Sequence, residues 1–244
     1  MKKSLFIFIT LILFGTRLFS QDTRDSRIPL IGDNAPSFTA ETTRGTITFP
    51  DDYYGKWKIL FSHPADFTPV CTTELMELAR LQDKLEKMDT KVIVISSDGL
   101  NSHLSWVKDM ETIKYRSDDD PVKINFPLIS DNTLEISKKY GMIHPNASTT
   151  RTIRGVFIID PTDKIRAMFF YPFMVGRNME EIMRTLTALQ MSDDKNVLIP
   201  ANWIPGGDVL MHSPKTQADA EKLAAKNDPT LREITWYLWF KKMK

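Results

Sequence analysis

Trp57-Lys58-Ile59-Leu60-Phe61-Ser62, followed by His63-Pro64-Ala65-Asp66-Phe67-Thr68-Pro69-Val70-Cys71-Thr72-Thr73-Glu74, decides how the rest of the chain is read. The first six residues are apolar and β-prone, and they predict a buried strand. Pro64 and Pro69 forbid a regular helix between them, so the strand ends in a loop. From Thr72 onward Leu75, Leu78, Leu81 and Leu85 recur at helical spacing on one face. Cys71, the single cysteine, therefore lies in the first turn of a helix just after a strand. Free N–H groups and the positive dipole end at such a place stabilise an anion. A thiol there can drop from about 8.5 into the range of about 3.5–7.5. A free cysteine is most often a small buried hydrophobe. Here two prolines and three threonines surround the sulfur, which makes a poor apolar pocket and a good hydrogen-bonding one.

The same alternation continues on both sides. Upstream, Thr43 to Phe49 reads as a short hairpin, and Asp51 to Lys56 as a polar turn. Downstream, Lys91 to Asp98 is a β-branched run suited to a strand buried on both faces of a parallel sheet. Asn101 is placed to cap a helix through Lys108. Phe126 to Asp131 reads as a short strand, and a helix from about Thr133 ends near Gly141. Arg154 to Pro161, a turn, and Ile165 to Tyr171 form an antiparallel hairpin. Asn178 caps a helix that buries Ile182, Leu186 and Leu189. Strand and helix alternate around the cysteine, which predicts an α/β chain with a thioredoxin-like fold and a C-terminal extension. The expected division is a signal peptide over 1–20, a thioredoxin-like domain over 28–191 and the extension over 192–244. The extension carries Pro200, Pro205, Gly206, Gly207, Pro214 and Pro229 and is expected to wander over the surface. Trp236-Tyr237-Leu238-Trp239-Phe240 is too aromatic to stay uncovered.

Phe67 to Glu74 resembles the peroxidatic motif of the peroxiredoxins. Leu60-Phe61-Ser62-His63-Pro64 resembles their one-cysteine subgroup around peroxiredoxin 6. The Gly32-Asp33-Asn34-Ala35-Pro36-Ser37-Phe38 opening is similar to that family's start, and the likeness covers roughly Leu30 to Met211. The resemblance implies a thiol-specific peroxidase that reduces hydrogen peroxide and organic hydroperoxides. Cys71 would be the nucleophile that becomes a sulfenic acid. Thr68 would place its hydroxyl beside sulfur and peroxide, and Pro64 would shield the sulfur from water. Arg154, at the start of its strand, matches the family's catalytic arginine, with Arg151 as the rival cation. Arg177 matches a second family arginine, for which Glu74 is the natural carboxylate partner. His63 is given a supporting role, with a satisfied structural histidine as the alternative reading. A homodimer or higher homo-oligomer is implied in the same way. The serine and histidine associated with phospholipase activity in peroxiredoxin 6 correspond here to Lys56 and Pro50, so that activity is not carried over.

Composition narrows the remaining classes. The chain is 42% hydrophobic and 26% charged, as a folded globular protein is. A net charge of +1 without a basic block gives nucleic-acid binding no electrostatic support. Lys2 and Lys3 before the apolar Leu5–Phe14 run, with Ser20 before Gln21, read as a bacterial export signal; an uncleaved membrane anchor is the alternative. Either way the domain is expected outside the cytoplasm, periplasmic or secreted. One cysteine makes no internal disulfide, so an external thiol or another small reductant must resolve an oxidised Cys71. His103, His144 and His212 show no metal-ligand spacing, and neither metal nor cofactor is expected. Two other classes stay open: a thioredoxin-like holdase with an idle Cys71, and a Cys–His hydrolase using His63 as base.

Overall fold

The computed structural model describes residues 28–114 and 121–243. The expected signal segment lies outside these residues. In chain order the elements are β1 (Phe38–Thr42), β2 (Gly45–Phe49), β3 (Trp57–Ser62), α1 (Pro69–Lys87), β4 (Thr90–Ser96), α2 (Leu100–Met110), β5 (Leu128–Ser130), α3 (Glu135–Lys139), β6 (Arg154–Ile159), β7 (Ile165–Tyr171), α4 (Met179–Lys195), β8 (Val209–Leu210), α5 (Gln217–Ala224), β9 (Leu231–Thr235) and β10 (Leu238–Lys241). A one-turn 3-10 helix, Asp51–Tyr53, fills the turn before β3.

Seven strands form one sheet in the order β2-β1-β5-β4-β3-β6-β7. β3, β4 and β5 run parallel, while β6 lies antiparallel against β3 and forms a hairpin with β7. β3 is an interior strand, between β4 and β6, and is buried along its whole length, as its unbroken apolar run predicts. Its pleat sends Ile59 and Phe61 to one side, where they join Leu75, Leu78, Leu85, Val94, Val156 and Leu186. Leu60 faces the other side with Ile93, Ile95, Ile129, Phe157 and Tyr140. This is the thioredoxin-like α/β arrangement that the alternation predicts, with the cysteine just past the carboxyl end of β3, the parallel strand that borders antiparallel β6.

Several boundaries move for identifiable reasons. α1 begins at Pro69 because a proline at the first helical position loses no hydrogen bond. Asn101 does not cap α2: Gly99 takes the extended cap geometry, and Asn101 already lies inside the helix. The first hairpin starts earlier than expected, pairing Phe38 with Phe49 across a turn where Gly45 has φ +95°. α3 starts at Glu135 because both Asp131 carboxylate oxygens accept N–H groups of its first turn, from Ile136 and Ser137. Asn178 does cap α4, accepting the Glu181 N–H at 3.2 Å.

The expectation of a wandering tail is overturned. The segment after residue 195 builds its own sheet, β8-β10-β9, and the helix α5. The prolines and glycines that suggest irregularity sit mostly in the connections, while Leu231–Thr235 and Leu238–Lys241 pair as a hairpin. That hairpin splits the aromatic run. Trp239 points inward and is buried, but Trp236 and Tyr237 form the turn and stay about half exposed. The expected cover thus holds for only part of the run.

Candidate active site

Cys71 is the third residue of α1 and has no exposed surface. In the first turn of a helix the backbone N–H groups have no partner within the helix, and the dipole favours negative charge there. The turn is held from below. The Thr68 carbonyl accepts from the Thr72 N–H at 2.9 Å and from the Thr72 hydroxyl at 2.8 Å. The Thr68 hydroxyl donates to the Ala65 carbonyl at 2.9 Å, which leaves its oxygen free to accept from a ligand. Phe67, just before it, has φ +52°, a left-handed conformation uncommon for a residue with a side chain.

Arg154 comes to the sulfur from the neighbouring strand. Its Nη1 donates to Cys71 Sγ at 3.3 Å and to Glu74 Oε2 at 2.6 Å. Its Nε and Nη2 donate to the Phe173 carbonyl at 3.0 and 2.6 Å. The fork is thereby fixed on three partners, and one N–H edge faces the sulfur. The strand end that carries it is clamped to β3: the Ser62 hydroxyl donates to the Ile153 carbonyl at 2.7 Å, and the Thr152 hydroxyl to the His63 carbonyl at 2.6 Å. Gly155 fits because a Cβ there would come within 3.1 Å of the Ser62 hydroxyl. Of the two rival cations, Arg154 alone reaches Sγ, while Arg151 is exposed.

Glu74, one turn after Cys71, serves both arginines. It accepts from the Arg177 N–H, Nε and Nη2 at 2.7, 2.9 and 2.7 Å, besides Arg154. Burial alone would raise its carboxyl pKa, but the hydrogen bonds and charge of Arg177, with Arg154 behind it, hold it below the ordinary range. Arg177 also donates to the Ser62 and Gly155 carbonyls, and its Cζ lies over the Phe61 ring, 3.3 Å from its centroid. Burial lowers its guanidinium pKa, and Glu74 opposes that shift. Arg177→Met should therefore cost about 3–5 kcal/mol of stability, the usual loss when one partner of a buried pair is removed. Urea denaturation followed by circular dichroism checks this, and a loss below about 1 kcal/mol would show that Glu74 is held by Arg154 alone.

His63 is buried but does not pair with the sulfur. Its Nε2 donates to Asp66 Oδ1 at 2.9 Å, and its ring packs 5.1 Å from Trp106. His103, on α2, faces the same carboxylate with Nδ1 at 2.9 Å from Oδ2, and its Nε2 donates to the Ile129 carbonyl at 3.0 Å. Burial pulls the His63 pKa down against the pull of Asp66. Burial likewise pushes Asp66 up, but hydrogen bonds from His103 and then His63 outweigh it and leave the carboxyl well below its usual range. Nothing in the sequence spacing ties His103 to His63, yet the fold gathers His63, Asp66 and His103 into a set of atoms within 4.8 Å of one another. Proton accounting favours a hydrogen-bonded network over a metal there. A metal on His63 Nε2 would move the ring proton to Nδ1, which is buried and has no hydrogen-bond partner among the described residues. The network pins the active loop to α2 and leaves Sγ to Arg154, so the arrangement of a Cys–His hydrolase is not formed. His63 sits in a structural hydrogen-bonded network beside the active loop, and Asp66 and His103 are members of that network which the sequence does not reveal.

Glu74 and Asp66 both have lowered carboxyl pKa values in the fold, so both bind protons less readily folded than unfolded. Their stabilisation is complete above the unfolded carboxylate range near pH 4 and is lost as pH falls through their folded values. The urea midpoint should thus fall as pH is lowered below about 4. Glu74→Gln should flatten that slope, and an unchanged slope would remove Glu74 from the account.

A cavity of about 170 Å³ opens over the loop that leads into α1 and is lined by Pro64, Thr68, Val70, Arg151, Phe173 and Arg154, the residue that contacts the sulfur, among others. Pro64 is itself buried and lines this cavity. The chain thus presents one thiol under a helix N-terminus, a guanidinium donor on it, a hydroxyl acceptor and a small access cavity. A profile of the AhpC/TSA family matches residues 31–168, and one for the C-terminal domain of 1-Cys peroxiredoxin matches residues 188–227. The chain belongs to the AhpC/TSA family and is a peroxiredoxin of the one-cysteine kind, a thiol-dependent peroxidase. It is 49% identical to a peroxiredoxin of Methanosarcina mazei over 88% of this chain and 98% of that one. It is 43% identical to one of Thermotoga maritima over 90% and 100%. Among solved structures, a yeast mitochondrial 1-Cys peroxiredoxin is similar with a TM-score of 0.77 and 37% identity, covering 88% of this chain and all of that one. A cysteine-to-serine mutant of the peroxiredoxin 6 of Arenicola marina gives a TM-score of 0.76 and 32% identity, with 88% and 98% covered.

Proposed function

We propose that Cys71 reduces hydrogen peroxide and organic hydroperoxides outside the cytoplasm, with Arg154 and Thr68 orienting the peroxide. The Cys71 thiolate attacks the nearer peroxide oxygen along the O–O axis. An S–O bond forms, the O–O bond breaks, and the departing oxygen leaves with a proton as water or an alcohol. The Arg154 N–H edge facing Sγ serves charge both on the attacking sulfur and on the oxygens as the bond opens. The Thr68 oxygen accepts the peroxide hydrogen, Pro64 keeps bulk water off, and Glu74 with Arg177 holds Arg154 on station. The observation that carries this reading is the Arg154 Nη1 to Sγ contact of 3.3 Å in the first turn of α1.

The product is a Cys71 sulfenic acid. With no second cysteine in the chain, an external thiol closes the cycle. In the yeast mitochondrial relative, glutathione and thioredoxin systems resolve the thiol. Export rests on the N-terminal sequence of this chain. A homodimer is supported by the half-exposed Ile234, Trp236 and Tyr237 of the extension, which would lose water on association.

Stopped-flow mixing of the reduced protein with hydrogen peroxide, followed by tryptophan fluorescence, tests the reading. Dimedone trapping and mass spectrometry locate the product. Second-order oxidation far faster than that of a free thiol, with the adduct on Cys71, is expected. Oxidation no faster than a free thiol would overturn it.

A further inference from the structure

Counting charges around the sulfur shows an imbalance that peroxide chemistry does not use. Two buried guanidiniums, Arg154 and Arg177, face one carboxylate, Glu74. A Cys71 thiolate completes the balance. Once peroxide has turned that thiolate into a neutral sulfenic acid, the buried set is left with one surplus positive charge. Arg151 adds another at the mouth of the same cavity. Its side chain is exposed, and it has no carboxylate within ion-pair distance among the described residues. Its backbone is held firmly: its N–H donates to the Ser148 hydroxyl at 3.0 Å, and the next residue, buried Thr152, is tied to the His63 carbonyl. No acidic residue lines the cavity. The cavity is therefore most positive in the oxidised state, which is the state the reductant meets.

We infer that Arg151 selects the reductant, and that the co-substrate class is a small thiol carrying a carboxylate near its sulfur. This rests on the peroxidase reading above. The thiolate of such a molecule attacks Cys71 Sγ, an S–S bond forms, the S–O bond breaks, and the hydroxyl departs with a proton as water. A second molecule of the same thiol attacks the mixed disulfide, releasing the low-molecular-weight disulfide and restoring Cys71. Arg151 holds the carboxylate at the mouth while the thiolate reaches inward. A positive mouth raises the encounter rate of an anion and lowers that of a cation. It does not discriminate among neutral peroxides.

Double-mixing stopped flow tests this on the full chain. The protein is oxidised with one equivalent of hydrogen peroxide and then mixed with 3-mercaptopropionate, 2-mercaptoethanol or cysteamine, each rate being corrected for its thiolate fraction. The readout is the ratio of the mercaptopropionate rate to the cysteamine rate. Arg151→Ala should lower that ratio at least about fivefold at low salt, from one unit charge acting at a few ångströms. Arg151→Lys should retain it, and Arg151→Glu should lower it further, about 25-fold or more by the same measure. At about 1 M salt the variants should converge. A ratio that is the same in all four proteins would overturn the inference while leaving the peroxidase reading intact. Failure of peroxide to oxidise Cys71 in the first mix would strike the peroxidase reading instead.

Discussion

Replacing Cys71 with serine abolishes peroxide turnover, with the second-order rate falling at least about a thousandfold to the level of the buffer. The hydroxyl of serine is not ionised at neutral pH, and its oxygen does not make the reducible bond to oxygen that sulfur makes. The size follows from removing the nucleophile itself, since every other group at the site acts on it or on its peroxide partner. The substitution is nearly isosteric in a fully buried place, and serine still accepts from Arg154, so the melting temperature should stay within a few degrees. Peroxide consumption by the purified variant, measured with catalase excluded, checks the loss. Residual turnover above a few per cent would mean that chemistry occurs elsewhere in the chain.

Arg154→Ala comes next, with an expected loss of about 10²–10³ in the rate of Cys71 oxidation, the range found when one preorganised donor is removed from a charge-stabilising site. The side chain links three things at once: Sγ, Glu74 Oε2 and the Phe173 carbonyl. Alanine leaves Glu74 paired with Arg177, so the carboxylate is not stranded and the fold should survive. Arg154→Lys keeps the charge but lacks the planar fork, and a single ammonium does not reproduce the fixed geometry on sulfur, carboxylate and carbonyl. Lysine should therefore recover only part of the rate. Stopped-flow oxidation of all three proteins measures this, and a lysine variant as fast as the parent would show that charge alone matters.

The fold is largely present in local patterns. The β3 run, the leucine spacing of α1 and the β-branched β4 run each state their element without help from the rest of the chain. The core of the site is legible for the same reason: Pro64, Thr68 and Cys71 lie in one short stretch that runs from the loop into the first turn of α1, and Arg154 opens a recognisable strand. The His63–Asp66–His103 network is not, because Asp66 and His103 are separated by 37 residues and join only when α2 packs over the loop. The Phe173 carbonyl escapes notice because a backbone acceptor leaves no mark in a sequence. The extension reads wrongly because prolines and glycines suggest dissolved structure, whereas here they lie mainly between short strands. Its last hairpin rests on pairing between residues such as Trp239 and Glu233, which composition does not show.

The complete burial of Cys71 sets a lifetime on the catalyst. A sulfur without exposed surface admits a molecule as small as a peroxide more readily than a thiol of several heavy atoms. At equal concentrations the oxidised sulfur is therefore reached more readily by a second oxidant than by its rescuer. A second peroxide would carry it to a sulfinic acid, from which ordinary thiols do not return it. With no neighbouring cysteine to trap the first product, each cycle is a race, and the odds shift as peroxide accumulates. Such a protein works as a scavenger at low peroxide and is spent by a burst, so its useful capacity is counted in turnovers per molecule.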